Sequence, residues 1–179
     1  MKSNFFIAKV ESLYYLFNPN YKTAKVTCKN DKKWENAEYV IGDLVIPGKV
    51  NFGGFLYDVT EICDYAFYGC NQLRSVSIPD SVTEIGSNAF DDCRALELVL
   101  LPDLLSNIGE QAFWGCSSLH TINIPRGLSA IKYQTFGACP ALKSVKIPFT
   151  INPNQISDDA FDTGTELIFE NGSEQIGTH

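Results

Sequence analysis

Apolar residues in this chain return with a period of 23 residues, and the same residue types return in the same order. Each repeat contains a Phe, a Cys three positions later, then a Leu, a Val or Ile, and a Pro. The first two of these occur at Phe67, Phe90, Phe113 and Phe136, and at Cys70, Cys93, Cys116 and Cys139. A fixed period in this range is typical of stacked units that bury their apolar faces only against one another. The pattern therefore predicts a repeat solenoid.

Three short elements are predicted within each repeat. A strand with alternating apolar and polar residues ends at a Pro, because Pro lacks the amide donor that a strand ladder needs. A second short extended piece follows around Ile85, Ile108 and Ile131, and then a helical turn that contains Ala-Phe or Thr-Phe. The last copy comes two residues late, at Ile156 and Phe161, and Leu167-Ile168-Phe169 reads as a closing strand.

The N-terminal part departs from the repeat. Residues 13–28 alternate around an Asn-Pro-Asn turn and predict a β-hairpin, while the polar stretch 30–38 reads as a loop. A first strand rung is expected at 41–47. Nine extra residues then form a loop over 48–58, where Gly53-Gly54 favours a tight turn. Such an atypical segment is what a solenoid needs to cover the exposed end of its core.

The repeat unit resembles the BspA-like leucine-rich repeats. It reads V-T-E-I-x-x-x-A-F-x-x-C-x-x-L-x-S-V-x-I-P from Val59 to Pro79, and 82–102 and 128–148 repeat it with minor substitutions. The resemblance covers roughly residues 13–169, and Asp92 departs from it where Gly69 and Gly115 stand. It implies a β-rich α/β solenoid: a right-handed leucine-rich-repeat horseshoe with short helical turns and an N-terminal hairpin cap. It also implies a location on the surface of anaerobic microbes and adhesion to host proteins.

We therefore expect one continuous domain in two parts. Residues 1–58 would form the hairpin cap and first rung, and residues 59–179 the 23-residue repeats with a C-terminal closing strand. The family resemblance implies an extracellular or cell-surface location. The apolar run at residues 5–8 is shorter than the roughly 7–15 residues of a signal-peptide core, which leaves a cytoplasmic location open.

Charge and length exclude some partners. The chain has 179 residues, and 14 Lys and Arg against 21 Asp and Glu give a net charge of −7. Nucleic acids and anionic membranes need clustered positive charge, so neither is an expected partner. No apolar run approaches the roughly 20 residues that cross a bilayer, so we expect no membrane insertion.

The six cysteines do not require disulfides. Strand-like stacking spaces equivalent residues about 4.8 Å apart, whereas β-carbons in a disulfide are about 3.8 Å apart. The four Cys of the repeat are therefore expected to be buried thiols. Cys28 and Cys63 lie off the repeat, and a disulfide at either remains open.

Enzyme signatures are weak. His120 is the only histidine apart from His179 at the C-terminus, and the sequence has no Cys-x-x-Cys pair, phosphate-binding loop or Gly-x-Ser-x-Gly motif. We therefore expect a non-enzymatic protein without a metal or cofactor. Its expected partner is a protein ligand, such as a host extracellular matrix protein, and the chain itself is expected to be a monomer or weak homodimer.

Deviations from the repeat indicate where binding would occur. Leu98 and Leu100 occupy outward strand positions where the neighbouring repeats carry mostly polar groups. His120, Lys143 and Lys146 extend the same face, and Trp114 fills a variable position after the core Phe. Other interpretations stay open. The leucines could pack beneath a loop or be tolerated as single exposed residues, and Trp114 could be partly buried against Tyr133 or a neighbouring rung. The competing function is a structural spacer or a self-assembly module of a larger surface protein.

Overall fold

The computed structural model describes residues 5–28 and 40–170. Strands dominate these residues. The first six are β1 (Phe6–Val10), β2 (Leu13–Asn18), β3 (Thr23–Thr27), β4 (Gly42–Val45), β5 (Lys49–Phe52) and β6 (Phe55–Ile62). The later ones are β7 (Leu73–Ser77), β8 (Glu84–Ile85), β9 (Leu98–Leu100), β10 (Asn107–Ile108), β11 (Thr121–Ile122), β12 (Ser144–Ile147) and β13 (Glu166–Phe169). One 3-10 helix, Pro153–Gln155, lies between the last two strands.

Each 23-residue repeat folds into one coil, and successive coils pair in parallel along two sides. On one side β6, β8 and β10 lie side by side, with Ile62, Ile85 and Ile108 in register. On the other side the order is β4, β7, β9 and β11. β12 and β13 form a separate parallel pair. Because the register offset equals the sequence period, each apolar residue lies beside its equivalent in the next coil.

The core between these two sides is built around a column of phenylalanine rings. Five rings stack in order at Phe67, Phe90, Phe113, Phe136 and Phe161. Their centroids are 4.9, 5.1, 5.5 and 5.2 Å apart, and neighbouring rings are tilted by 13° or less. The first four rings are buried, and Phe161 is partly buried at the end of the column. The Phe of the repeat is therefore the interior of the fold.

The segment around each Phe is a hydrogen-bonded turn and not the helical turn that the sequence predicts. Two positions in each repeat have positive φ: Tyr65, Asn88, Gln111 and Gln134 form the first set, and Gly69, Asp92, Gly115 and Ala138 the second. Left-handed residues at this spacing stop an α-helix from propagating. The backbone amides instead bond to the next coil, as in Phe67 N–H to Ala89 O (2.7 Å) and Phe90 N–H to Ala112 O (2.7 Å).

None of the six cysteines forms a disulfide. The Sγ atoms of Cys93, Cys116 and Cys139 lie 3.1–3.2 Å from the carbonyl oxygens of Phe67, Phe90 and Phe113, so each thiol donates to a carbonyl of the preceding coil. Burial raises the pKa of the Cys93 and Cys116 thiols well above the ordinary value and that of Cys139 to about 12. Burial also raises the pKa of Cys63 to about 11. Cys93, Cys116 and Cys139 are therefore protonated packing groups at neutral pH.

The N-terminal strands form an antiparallel extension of the sheet. β2 and β3 pair as the predicted hairpin, and β3 then pairs in parallel with β6. One feature was not expected: β1 pairs with β2. The predicted loop at 48–58 contains the paired strands β5 and β6, and Gly53-Gly54 forms the tight turn between them, as the sequence favours. The predicted loop at 30–38 lies outside the described residues. The right-handed sense, the horseshoe curvature and the two-part domain division stay predictions.

The last coil is irregular because its sequence is late by two residues. The extra residues form the 3-10 helix Pro153–Gln155. Asn152 caps this helix, and its side chain accepts a hydrogen bond from the Asn154 amide at 3.1 Å. Register is restored at the isolated parallel bridges Ile131–Ile156 and Phe136–Phe161. The Ala138 amide bonds to the Asp162 carboxylate (2.6 Å), whereas the equivalent amides of earlier coils bond to a backbone carbonyl.

Asp91 is a buried acid without full compensation. It is 7% exposed, and Asn88 Nδ2 donates to its Oδ2 at 2.8 Å, while its Oδ1 has no partner. Burial raises the pKa of Asp91, the Asn88 hydrogen bond partly offsets this, and the charge of Asp92 adds to the increase. The ionised carboxylate is therefore less stable in the folded protein than in the unfolded chain.

Replacing Asp91 with asparagine is expected to stabilise the protein at pH 7 by about 1 kcal/mol, the scale of one uncompensated buried polar group. The raised pKa of Asp91 means that the folded state holds the proton more tightly than the unfolded chain. The penalty is thus absent below the unfolded pKa and develops as the pH rises through the folded pKa. The gain should therefore be present at pH 7 and vanish near pH 3, which urea unfolding at both pH values measures.

Asp92→Asn is the matched control for this change. Asp92 is the adjacent acid but is paired with Arg94 at 2.8 and 3.0 Å. Loss of this ion pair offsets the relief that removal of its charge gives to Asp91, so the net gain should be smaller than that of Asp91→Asn. Equal stabilisation by Asp91→Asn at the two pH values, or a loss at pH 7, would contradict the assignment of the penalty to ionised Asp91.

Candidate functional site

The exposed side of the parallel strands β4, β7, β9, β11, β12 and β13 is the candidate binding surface, which we call the strand face. Strand alternation sends every second side chain to this face. The strand register aligns Asp43, Ser75, Leu98 and Thr121 in one row, and Val45, Ser77 and Leu100 in a second. The buried partners between them, Val76 and Val99, fix the direction of the outward side chains by packing in the core.

Leu98 and Leu100 are both exposed, at 37% and 51% of their surface. At these exposures, no loop of the part of the chain that the structure describes covers either leucine. Leu104, in the turn after β9, is also exposed. These exposed leucines on β9 and in the turn after it supply apolar area for a partner.

Sequence analysis did not select Val45 as a site residue, although it is 73% exposed and lies in the same row as Leu100. The two apolar side chains lie on either side of Ser77, so the apolar part of the strand face spans three strands and not one. The alternation of β4 is the signal that could have identified Val45.

His120, Lys143 and Lys146 are exposed, as expected for the strand face, but they do not form one cluster with the leucines. His120 directly precedes β11, and its Nδ1 lies 3.4 Å from the Ser118 carbonyl oxygen. Lys146 lies on β12, opposite Ile168 of β13, and Lys143 directly precedes β12. The ladder from β4 to β11 does not continue to β12, so the two lysines flank the apolar rows at a distance of at least one strand.

The strand face is nearly balanced in charge. The central repeats suggest a basic surface, since Arg74, Lys143 and Lys146 oppose only Glu97. The first and last strands add two exposed acids, Asp43 and Glu166, and Asp43 accepts a hydrogen bond from Ser75 Oγ at 2.8 Å. Three basic residues thus oppose three acidic ones, and charge does not select an acidic partner here.

Trp114 is separate from the strand face. It lies in the turn between β10 and β11 and is half-buried. A β-carbon on Gly137 would lie 3.1 Å from Trp114 Cδ1, so the indole packs over Gly137 of the next coil. Packing on a neighbouring rung was one of the two interpretations of this residue, and the structure places Trp114 away from the rows that contain Leu98 and Leu100.

Asn123 is a polar residue at an outward position whose side chain is already hydrogen-bonded within the protein. It occupies an outward position after β11, but its Oδ1 accepts from the Leu101 amide (3.3 Å) and its Nδ2 donates to the Leu101 carbonyl (3.1 Å). These two bonds take the place of a backbone ladder between neighbouring coils. Asn123 therefore joins coils together and contributes less to a binding surface than its position indicates.

A second exposed apolar surface lies at the tip of the β5–β6 hairpin. Phe55, Leu56 and Tyr21 are exposed there, and Lys22 Nζ lies 3.8 Å from the centroid of the Phe55 ring. The cation–π contact ties this tip to the β2–β3 turn and orients the Phe55 ring. This surface was not predicted residue by residue, because nothing in the 48–58 segment indicates which side of the hairpin faces solvent.

The strand face has apolar rows bordered by polar and charged side chains. Within residues 5–28 and 40–170, no group of three or more His, Cys, Asp or Glu side chains is arranged to hold a metal ion. In the same ranges, no helix has the length and apolar character that would let it span a membrane.

Comparison with protein families gives one match. The model of the BspA-type leucine-rich repeat region matches residues 52–168 in six copies. No curated protein sequence matches the chain.

Comparison with solved structures gives leucine-rich repeat proteins from bacteria. A leucine-rich repeat protein from Bacteroides ovatus is 30% identical, with a TM-score of 0.75 over 90% of this chain and 40% of its own. The leucine-rich repeat protein of T. pallidum is also 30% identical, with a TM-score of 0.66 over 90% of this chain and 64% of its own. A leucine-rich cell surface protein from Faecalibacterium prausnitzii has the same fold. It is 24% identical, with a TM-score of 0.57 over 90% of this chain and 53% of its own. The chain thus spans less than two thirds of the length of these proteins.

Proposed function

The chain belongs to the BspA-type leucine-rich repeat family, and we propose that it is a non-enzymatic recognition module that binds a protein ligand with its strand face. The observation that carries the proposal is the exposed apolar set of Val45 on β4 and Leu98 and Leu100 on β9, two strands that flank β7 in one sheet. Apolar clusters with a polar border mark interaction surfaces on otherwise soluble proteins.

The scaffold suits recognition because it is already ordered before a partner arrives. Each outward side chain is held by a strand whose alternate residues are buried in the core, as Leu98 and Leu100 are held by Val99. Ordering of the surface on binding costs little when the backbone is fixed in advance. Leucine-rich repeats are in general protein-interaction folds, and this physical property supports that use here.

The proposed setting is the microbial cell surface, with a host extracellular matrix protein as ligand. Support comes from the family and from the F. prausnitzii protein, which is described as a cell surface protein. The N-terminal strands β1–β3 are proposed to cap the core, since Phe17, Ala24 and Val26 are buried at that end.

The double substitution Leu98→Asp/Leu100→Asp tests the strand face. We expect it to weaken binding at least tenfold for any matrix protein that the wild-type chain binds, because it puts two charges in the apolar rows. This corresponds to a loss of binding free energy of about 1.4 kcal/mol or more. Both positions are exposed, so the urea midpoint should change little. Binding is measured by surface plasmon resonance against a panel of purified extracellular matrix proteins, and the midpoint by circular dichroism.

Phe55→Asp/Leu56→Asp is the matched control, because it makes the same change in charge at two exposed apolar residues of the hairpin tip. It should bind like wild type. Sedimentation of each variant separates the alternative: a concentration-dependent dimer that Leu98→Asp/Leu100→Asp abolishes would favour self-assembly over adhesion. If the strand-face variant behaves like wild type in both assays, the proposed binding surface is wrong.

A further inference from the structure

The last coil leaves an open pocket at its outer end. The pocket has a volume of about 320 Å³, and every residue that lines it belongs to residues 153–169. It therefore lies beyond the last coil, on the side where the core has no further coil among the described residues. It is separate from the strand-face rows around Leu100, none of whose residues line it.

Phe161 in the wall of this pocket is the end of the ring column. One face of its ring stacks on Phe136, with centroids 5.2 Å apart and planes tilted by 13°. Ile156 and Leu167, which end two other apolar columns, line the same pocket and are only partly buried. The pocket thus occupies the place where a sixth ring would continue a series spaced at 4.9–5.5 Å.

The pocket is large enough for such a ring. Its volume is about 320 Å³, whereas an apolar cavity of about 150 Å³ already holds benzene. Stacked aromatic rings gain energy beyond their burial when the centroids lie about 4.5–7 Å apart, a range that includes the spacing of this column. An aromatic side chain is therefore a better fit to the pocket than an aliphatic one.

The border of the pocket is acidic. Asp158 and Asp162 line it, and among residues 5–28 and 40–170 no Lys or Arg does so. Asp159 and Glu166 are exposed nearby in the sequence of the same coil. One oxygen of Asp162 is already bound to the Ala138 amide, and Asp158 is exposed to solvent. Like charges at this border disfavour a second copy of the same end, whereas a basic partner gains from it.

We propose that this end pocket binds an aromatic side chain flanked by basic residues, presented by a partner polypeptide and stacked on Phe161. The ring column selects an aromatic group, and Asp158 and Asp162 select the neighbouring cations. The site is independent of the strand face, so the molecule would have two binding surfaces: a broad one on its strands and a narrow one at its end.

The full chain should be titrated with acetyl-Lys-Phe-Lys-amide and followed by NMR. We expect saturable binding, with upfield shifts of the phenyl protons from the Phe161 ring. Acetyl-Lys-Ala-Lys-amide and acetyl-Glu-Phe-Glu-amide are the matched probes, and each should bind at least threefold more weakly. No saturation, or equal binding of the alanine peptide, would overturn the proposal.

Two variants assign the binding to the pocket. Phe161→Leu keeps apolar volume but removes the ring, and should weaken the Lys-Phe-Lys peptide about three- to tenfold. Asp158→Lys leaves the ring in place at an exposed position, so it should fold even if Phe161→Leu does not. It should reverse the preference toward the Glu-Phe-Glu peptide, whereas Asp80→Lys, a matched change at another exposed acid, should not.

Three further results would contradict binding of the aromatic side chain at the end pocket. Unchanged peptide preference in Asp158→Lys would show that the acidic border does not act, and the proposal would fail. Loss of peptide binding in Leu98→Asp/Leu100→Asp would place the probe on the strand face and overturn the end pocket while leaving the strand-face proposal intact. Self-association that Asp158→Lys changes would show that a second copy occupies the end instead.

Discussion

Replacement of Phe113 by alanine is expected to lower the free energy of unfolding by about 3–5 kcal/mol. Phe113 is completely buried and stacks on both faces, at 5.1 Å from Phe90 and 5.5 Å from Phe136. The neighbouring rings are held by their own coils, and their backbone amides bond to the following coil, so they cannot close the space that is left. A cavity in the middle of the column is therefore more costly than the loss of a ring at its end.

Urea unfolding followed by circular dichroism measures this loss. Phe113→Leu should cost clearly less than Phe113→Ala, because it keeps most of the buried volume. Phe169→Ala is the matched control on β13: its side chain is 42% exposed, and the expected loss is about 1 kcal/mol or less. A loss under about 1 kcal/mol for Phe113→Ala would show that the rings do not support one another in the column.

Gly109→Ala is the second substitution with a large expected effect, about 3 kcal/mol at the upper end of the usual cost of overpacking. A β-carbon at this position would lie 2.3 Å from the Ser87 backbone nitrogen and 2.6 Å from the Gly86 carbonyl carbon. Both atoms belong to the backbone of the preceding coil, whose position is fixed by the bond from the Gly109 amide to the Ile85 carbonyl (2.8 Å). Side-chain rotation cannot relieve this clash, so the two coils must separate.

The matched control is Gly48→Ala, where a β-carbon would meet Ser81 Oγ at 3.4 Å and no backbone atom at closer range. That change should alter the unfolding free energy by about 0.5 kcal/mol or less. Comparison of the urea midpoints of the two variants isolates the backbone approach from the general effect of Gly→Ala. Equal midpoints would mean that the coils adjust at Gly109 without cost.

Sequence periodicity predicts the stacking of this fold, because residues that are 23 positions apart lie side by side in neighbouring coils. Phe90, Cys93 and Leu96 are completely buried, as their recurrence requires. The turn around each Phe could not be predicted in the same way. Non-glycine residues such as Tyr65 and Gln111 adopt positive φ there, and only the bonds between coils make that conformation favourable. A pattern within one repeat contains no information about such bonds.

The strand face was predicted in outline, because alternation around Val99 determines that Leu98 and Leu100 point outward. The extent of the apolar rows depends on which strands are neighbours and in which register, as the alignment of Val45 with Leu100 shows. The strand β1 and the packing of Trp114 over Gly137 likewise depend on contacts between distant segments. These features follow from tertiary structure and have no local signal.

The bonding of each coil only to its neighbours has a consequence for how such a chain can change over generations. A duplication or deletion of 23 residues, made between equivalent positions such as Phe90 and Phe113, would join a coil to an equivalent coil and keep the ring column, the thiol bonds and both strand ladders in register. A change of another length would need a local irregularity to restore the register, as the 3-10 helix at Pro153–Gln155 does before the bridge from Ile131 to Ile156. The length of the protein and the number of strands on its strand face can therefore increase or decrease by whole coils. The segment that packs as one unit is also the segment that can be duplicated or deleted.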